Sequence, residues 1–218
     1  MSDGAAPDFV HRFEPGDRQG APTLLLLHGT GGDEQDLLGL GRALDEGAAL
    51  LSPRGKVSEA GMPRWFRRHA EGVFDTDDLI ARTHELADFV MAAAERYELD
   101  TAAIIAVGFS NGANIAGAMM LLRPEILRAA VLLAPMVPLE PTDAVDLSGV
   151  GVFVGAGRGD RIAPPEHAEA LAELLSDRGA AVELHWHDGG HGVDRSTLTA
   201  ATNWLRKLRA AMAADPLP

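Results

Sequence analysis

Six short apolar runs punctuate the chain: TLLLL (23–27), AALLS (48–52), AAIIAVGF (102–109), AAVLLA (129–134), VGVFVG (150–155) and AVELHW (181–186). Each is nearly continuous in apolar side chains, as strands covered on both faces are. Between them apolar positions recur at helical spacing: Leu79, Ile80, Thr83, Leu86, Ala87, Val90 and Met91; Leu171, Leu174 and Leu175; Leu198, Ala201, Trp204, Leu205 and Leu208. Strand-type runs alternating with helical stretches predict an α/β fold, a mainly parallel sheet with helices on both faces. FVHRF (9–13) alternates polar with apolar and predicts an antiparallel edge strand. No repeat, low-complexity tract or linker interrupts the pattern, so residues 1–218 read as a single domain. In such a sheet ligands sit beyond the carboxyl ends of the strands, which directs attention to the segments that follow them.

Composition narrows the chemistry. The chain is 46% apolar, ample for one large core. The opening MSDGAAPDFV has neither a basic start nor an apolar run, and no stretch is long and apolar enough for a membrane span, so a cytoplasmic protein is expected. With no cysteine there is no thiolate nucleophile, disulfide or thiolate metal site. A formal charge of -13 supplies no basic stripe for a nucleic-acid partner.

The strand AAIIAVGF runs into Gly108-Phe109-Ser110-Asn111-Gly112 and then an apolar helix rich in small residues. This is GxSxG with a strand before and a helix after, the setting in which a serine is presented at a sharp turn. A serine hydroxyl becomes a good nucleophile only beside a base, and the base needs a carboxylate to fix its tautomer. After VGVFVG, the turn AGRGD offers Asp160 as that acid; its other use would be as a helix N-cap. After AVELHW, the glycine-rich loop offers His191 as the base. The strand TLLLL ends in His28-Gly29-Thr30-Gly31-Gly32, where glycines let the Thr30 N–H turn toward the serine. With the N–H of Asn111 it would make a two-donor oxyanion hole.

HWHDGGH (185–191) packs three histidines and an aspartate into seven residues, and His185, His187 and Asp188 are the set that a metallohydrolase would use. The spacing misses the HxHxDH pattern because two glycines precede the third histidine. The expectation is therefore no metal, with His191 alone doing chemistry.

The stretches HGTGGDEQDLL, MPRWFRRHAEGVFDTDDL, GFSNGANIA, LLAPMVP, AGRGD and GGH, in this order, resemble the small phospholipase/carboxylesterase family of the α/β-hydrolase superfamily, and within it the branch of hydroquinone-associated hydrolases. The likeness spans about residues 20 to 206. It implies an α/β-hydrolase fold and cofactor-free ester hydrolysis by Ser110, Asp160 and His191, with Thr30 and Asn111 as oxyanion donors. It also implies a small-molecule ester substrate and the homodimer that small members often form. Acyl-protein thioesterases, a sister branch, carry Gln where this chain has Asn111, which points away from long-chain thioesters. Lysophospholipase or thioesterase activity on the same triad, and a non-catalytic ligand-binding role, are the competing readings.

Residues 134–149 are too few for a large helical cap, so an open site is expected. Met136 and Val137 are candidates for an apolar wall of the substrate pocket. In RWFRR, Arg64 is a candidate partner for a substrate carboxylate or phosphate and Trp65 a candidate lining of the entrance. The competing use of the three arginines is salt bridging to local acids such as Glu71 or Asp75.

Overall fold

The computed structural model describes residues 8–18, 20–140 and 144–214. The MSDGAAP stretch at the start and residues 141–143 of the loop after AAVLLA, on which two of the expectations above partly rest, lie outside them. In chain order the elements are β1 (His11–Glu14), β2 (Thr23–Leu27), α1 (Leu38–Leu44), β3 (Ala49–Pro53), the short β4 (Val57–Glu59), β5 (Met62–Arg64), β6 (Arg68–Ala70) and β7 (Val73–Phe74), α2 (Thr76–Tyr97), β8 (Ile104–Phe109), α3 (Asn111–Leu122), β9 (Ala129–Leu133), β10 (Gly151–Gly157), α4 (Pro165–Ser176), β11 (Ala181–His187) and α5 (Arg195–Ala214).

Seven strands form one sheet in the order β1-β3-β2-β8-β9-β10-β11. All neighbours run parallel except β1, which pairs antiparallel with β3 at the edge, as the alternation of FVHRF predicts. Period-2 geometry sends Leu25 and Leu27 of β2 to one face and Leu24 and Leu26 to the other, and both faces are covered. One core layer joins the sheet to α2, α3 and α4. The other joins it to α1 and α5, with Phe153 of β10 packed 5.9 Å from the Trp204 ring. This is the α/β-hydrolase arrangement.

The long α2 starts where the Asp75 carboxylate accepts the Asp78 N–H and ends at Glu98 in a left-handed conformation. Its predicted face is buried at Leu79, Thr83, Leu86, Ala87 and Val90, but Met91 turns to solvent. The stretch 57–74, which has no strand-like apolar run, forms two small antiparallel hairpins, β4-β5 and β6-β7. Each is held by backbone pairing, and the Arg68–Glu59 ion pair (3.1 Å) ties one hairpin to the other, neither of which apolar periodicity reports.

Phe153 is fully buried at the centre of the α1/α5 layer, so Phe153→Ala should leave a cavity and cost about 3–5 kcal/mol. Urea unfolding at constant m-value would measure it, and a cost under about 1 kcal/mol would mean that this layer collapses freely.

Candidate active site

Strand β8 ends at Phe109 and α3 begins at Asn111, leaving Ser110 on the turn between them with φ +52° and ψ -117°. A side chain at positive φ is strained and persists only where its surroundings overdetermine it. Here the Ser110 N–H donates to the Leu133 carbonyl of β9 at 2.8 Å, and the Ser110 carbonyl accepts the Asn114 N–H at 3.0 Å. The turn also needs α3 to pass very close to β2 and β8. A Cβ at Gly112 would land on the Leu27 carbonyl, and one at Gly108 would strike the Gly112 backbone. Those two glycines are spatial necessities of the elbow.

Ser110 Oγ lies 2.9 Å from His191 Nε2, and His191 Nδ1 lies 2.7 Å from Asp160 Oδ2. The other Asp160 oxygen accepts the backbone N–H groups of Ile162 and Ala163 at 2.8 and 2.9 Å, so the buried carboxylate both organises its own turn and faces the imidazole. The Asp160 turn and the His191 loop are laced together: the Arg158 N–H donates to the His187 carbonyl at 2.8 Å and the Gly159 N–H to that of Gly189 at 2.9 Å. Side chains contributed after β8, β10 and β11 thus meet at the carboxyl edge of the sheet, across the end of β9. An aspartate accepting from Nδ1–H leaves Nε2 as the acceptor for a serine hydroxyl, which is what proton abstraction from Oγ requires.

The opposite wall is built from the ends of β2 and β5. Nδ1–H of buried His28 donates to the Gly29 carbonyl (2.7 Å) and Nε2 accepts the Gly55 N–H (2.9 Å). Burial drives the His28 pKa below the ordinary 6.5, outweighing the Gly29 bond and nearby acids that raise it. The Trp65 indole N–H donates to the His28 carbonyl at 2.8 Å, and the Trp65 backbone N–H donates to Asn111 Oδ1 at 2.8 Å. The Gly31 N–H reaches the Pro63 carbonyl (2.9 Å), and Arg64 Nη1 donates to Thr30 Oγ1 (2.7 Å). Thr30 and Asn111 flank Ser110 in one cleft, and among the described residues their backbone amides have no protein acceptor.

The structure brings Ser110, Asp160, His191, Thr30, Asn111, Arg64 and Met136 to this region but separates Trp65 and Val137 from the cleft. Trp65 is 1% exposed, packed against Phe9 and His28, and it struts the Thr30 loop against the elbow instead of lining an entrance. Val137 packs half-buried on the core layer of α3. Arg67 and Arg68 pair with acids, Arg67 with Asp75 at 3.0 Å and Arg68 with Glu59 and Glu71. Asn114, Phe74 and Ile162 line the cleft without having been singled out; Asn114, three residues after Asn111 on the same helix face, was the one with a readable signal. Within HWHDGGH, His187 is buried with Nδ1 accepting the Gly189 N–H, and the His185 ring stacks near Phe153. Among the described residues no three His, Asp or Glu side chains converge as a metal-ligand set.

Residues 11–209 match the phospholipase/carboxylesterase family. The chain is 45% identical over 197 residues to MhqD of Bacillus subtilis (strain 168), covering 90% of this chain and 98% of that protein. It is similar to a solved carboxylesterase of Bacillus cereus, with a TM-score of 0.88 and 45% identity over 90% of this chain and 93% of the other. A carboxylesterase of Mesorhizobium loti superposes with a TM-score of 0.82 at 35% identity, over 87% and 90% of the two chains.

Two outcomes follow from the local packing. Gly112→Ala should push α3 off β2, costing about 3 kcal/mol in urea unfolding; an unchanged midpoint would show that the elbow has slack. His28 titrates near 6.5 in the unfolded chain and lower in the folded one, so the unfolded form binds more protons and stability falls as pH drops through that window. Urea midpoints compared between about pH 7.5 and about pH 5.5 should therefore drop more for the unmutated chain than for His28→Gln, and equal drops would assign the acid sensitivity elsewhere.

Proposed function

The chain belongs to the phospholipase/carboxylesterase family and so to the esterases of the α/β-hydrolase fold, and from that premise we propose that it is a metal-independent serine carboxylesterase acting on small or short-chain esters. The observation that carries the reading is the unbroken chain of hydrogen-bond contacts from Ser110 Oγ through His191 to Asp160, at 2.9 and 2.7 Å.

In this reading Ser110 Oγ attacks the ester carbonyl carbon as its proton passes to His191 Nε2. The oxyanion accepts from the backbone N–H groups of Thr30 and Asn111, each such donor being worth about 3–4 kcal/mol of barrier. The carbon–oxygen bond to the alcohol breaks, and His191 returns the proton to the leaving oxygen. Water then loses a proton to Nε2 and attacks the acyl-serine, releasing the acid and restoring Ser110. Asp160 stays ionised throughout, holding Nδ1–H and stabilising the imidazolium that forms twice.

Room for the acyl group is limited. The cleft at Ser110 is narrow, closed in by Met136, Ala134, Phe74 and Ile162. Beyond His191 the surface is open, and Phe109, Val193, Leu37, Leu40 and Leu198 form a shallow apolar groove there. A short acyl part held closely and a loosely held alcohol part match this asymmetry.

Hydrolysis of p-nitrophenyl esters from acetate to laurate should peak at the short end, resist EDTA, and fall by about 10⁴-fold or more in Ser110→Ala. Loss of activity to EDTA with retention in the variant would replace the serine mechanism, and a maximum at laurate would favour a lipid-type acyl substrate.

A further inference from the structure

The cleft beside Ser110 is donor-rich in a way that ester hydrolysis by itself does not require. Arg64 is 2% exposed; its Nη1 is spent on Thr30 Oγ1, and its Nε reaches the Phe66 carbonyl at 3.3 Å. Among the described residues Nη2 has no protein partner, and the residue lines the cleft. Its ion pair is poor: Glu59 Oε2 stands 3.3 Å from Nη1, while the same carboxylate takes both of its close bonds, 3.1 Å each, from Arg68 Nε. Burial and the neighbouring Arg68 both disfavour the charged guanidinium, yet an arginine stays ionised.

Two asparagines of α3 point the same way. Asn111 Oδ1 accepts the Trp65 N–H and Asn114 Oδ1 accepts the Met136 N–H at 2.7 Å. Each backbone donor fixes its amide, because turning the amide over would set NH₂ against N–H. Both Nδ2 groups are therefore the free ends. Asn111 is 3% exposed and its Nδ2 is buried with no hydrogen-bond partner. A buried donor left unpaired costs about 1–3 kcal/mol, and such a group asks for a ligand. Among the described residues the one carboxylate on the cleft wall, Glu71, is engaged by Arg68.

We propose that Arg64, Asn111 and Asn114 form an acyl-side subsite for a carboxylate, so that the enzyme prefers half-esters of small dicarboxylic acids, the free carboxylate accepting from Arg64 Nη2 and the two Nδ2 groups while Ser110 attacks the ester end. The inference rests on the serine esterase reading and adds its substrate class. Arg64 acts here as a specificity residue. The competing role is positioning, in which it only steadies Thr30, and this predicts equal losses on charged and neutral esters.

The test compares monoethyl succinate with ethyl isocaproate, in which an isopropyl group replaces the carboxylate, by titrating the acid released. The kcat/KM ratio should favour the succinate at least about tenfold, and Arg64→Met should cut the ratio by about tenfold or more. Asn114→Asp keeps the acceptor for Met136 but replaces the donor with a second carboxylate oxygen, so it should cut the ratio as well. Because the ratio is the readout, a general loss of activity cancels. Free succinate should also inhibit ethyl isocaproate hydrolysis by the unmutated enzyme competitively and better than isocaproate does, a result that needs no variant. Ser110-dependent hydrolysis of ethyl isocaproate with a ratio at or below one, or a ratio unmoved by both substitutions, overturns the subsite and leaves the esterase reading standing. Calorimetric binding of monoethyl succinate to Ser110→Ala, with no hydrolysis of either ester by the unmutated chain, supports the subsite and overturns the esterase reading.

Discussion

The positive φ of Ser110 is the constraint around which the strand ends are arranged. A serine in that conformation is held by β9 through the Leu133 carbonyl and by α3 through Asn114, and α3 there lies nearly against β2. That approach forbids a side chain at Gly112 and Gly108. It also brings the first turn of α3 beside the Thr30 loop, so Thr30, Ser110 and Asn111 line one cleft. Strain of this kind costs on the order of 1–3 kcal/mol, and the sheet supplies it from a core closed on both faces.

The rest of the site is a set of struts that stop the loops from drifting. Trp65 ties His28 to Asn111 with two hydrogen bonds, and His28, held neutral by burial, ties the β2 end to Gly55. On the other side, the turn after β10 is pinned to the loop after β11, and the Asp160 carboxylate uses one oxygen for its own turn and the other for His191. An N-cap-like function and an orienting function therefore coexist on one carboxylate, because its two oxygens face different partners.

How far the sequence disclosed this depends on whether local pattern or long-range contact sets each feature. The apolar runs marked β2, β3 and β8 to β11, since two-sided burial requires continuous apolar side chains whatever the partner strand. The elbow and the order serine, aspartate, histidine were legible because glycines and strand ends are local signals. Arg64 was legible as a residue of the cleft, but Trp65 was not legible as a placement: expected at the entrance, it is buried, as are its neighbours Arg64 and Phe66. What buries them is the β4-β5 hairpin meeting the elbow, a contact between segments more than 40 residues apart that leaves no periodicity in either. Asn114 shows the same limit. Three residues after Asn111 in an otherwise apolar helix, it is conspicuous, but only the Met136 N–H fixes which end of its amide is free.

Charge separates into two scales here. The chain carries -13 overall, which by itself repels an anionic substrate, whereas the cleft carries a buried arginine with a weak counter-ion. At physiological salt the surface charges are screened beyond about 8 Å, so the acidic exterior retards encounter only modestly. Inside the cleft, screening is weaker and the donors are fixed by hydrogen bonds to the backbone, so the local term governs what is held once contact is made. The net charge therefore bears on the rate of approach, while the proposed acyl-side subsite places selectivity on Arg64, Asn111 and Asn114, whose orientations are set by hydrogen bonds within the protein.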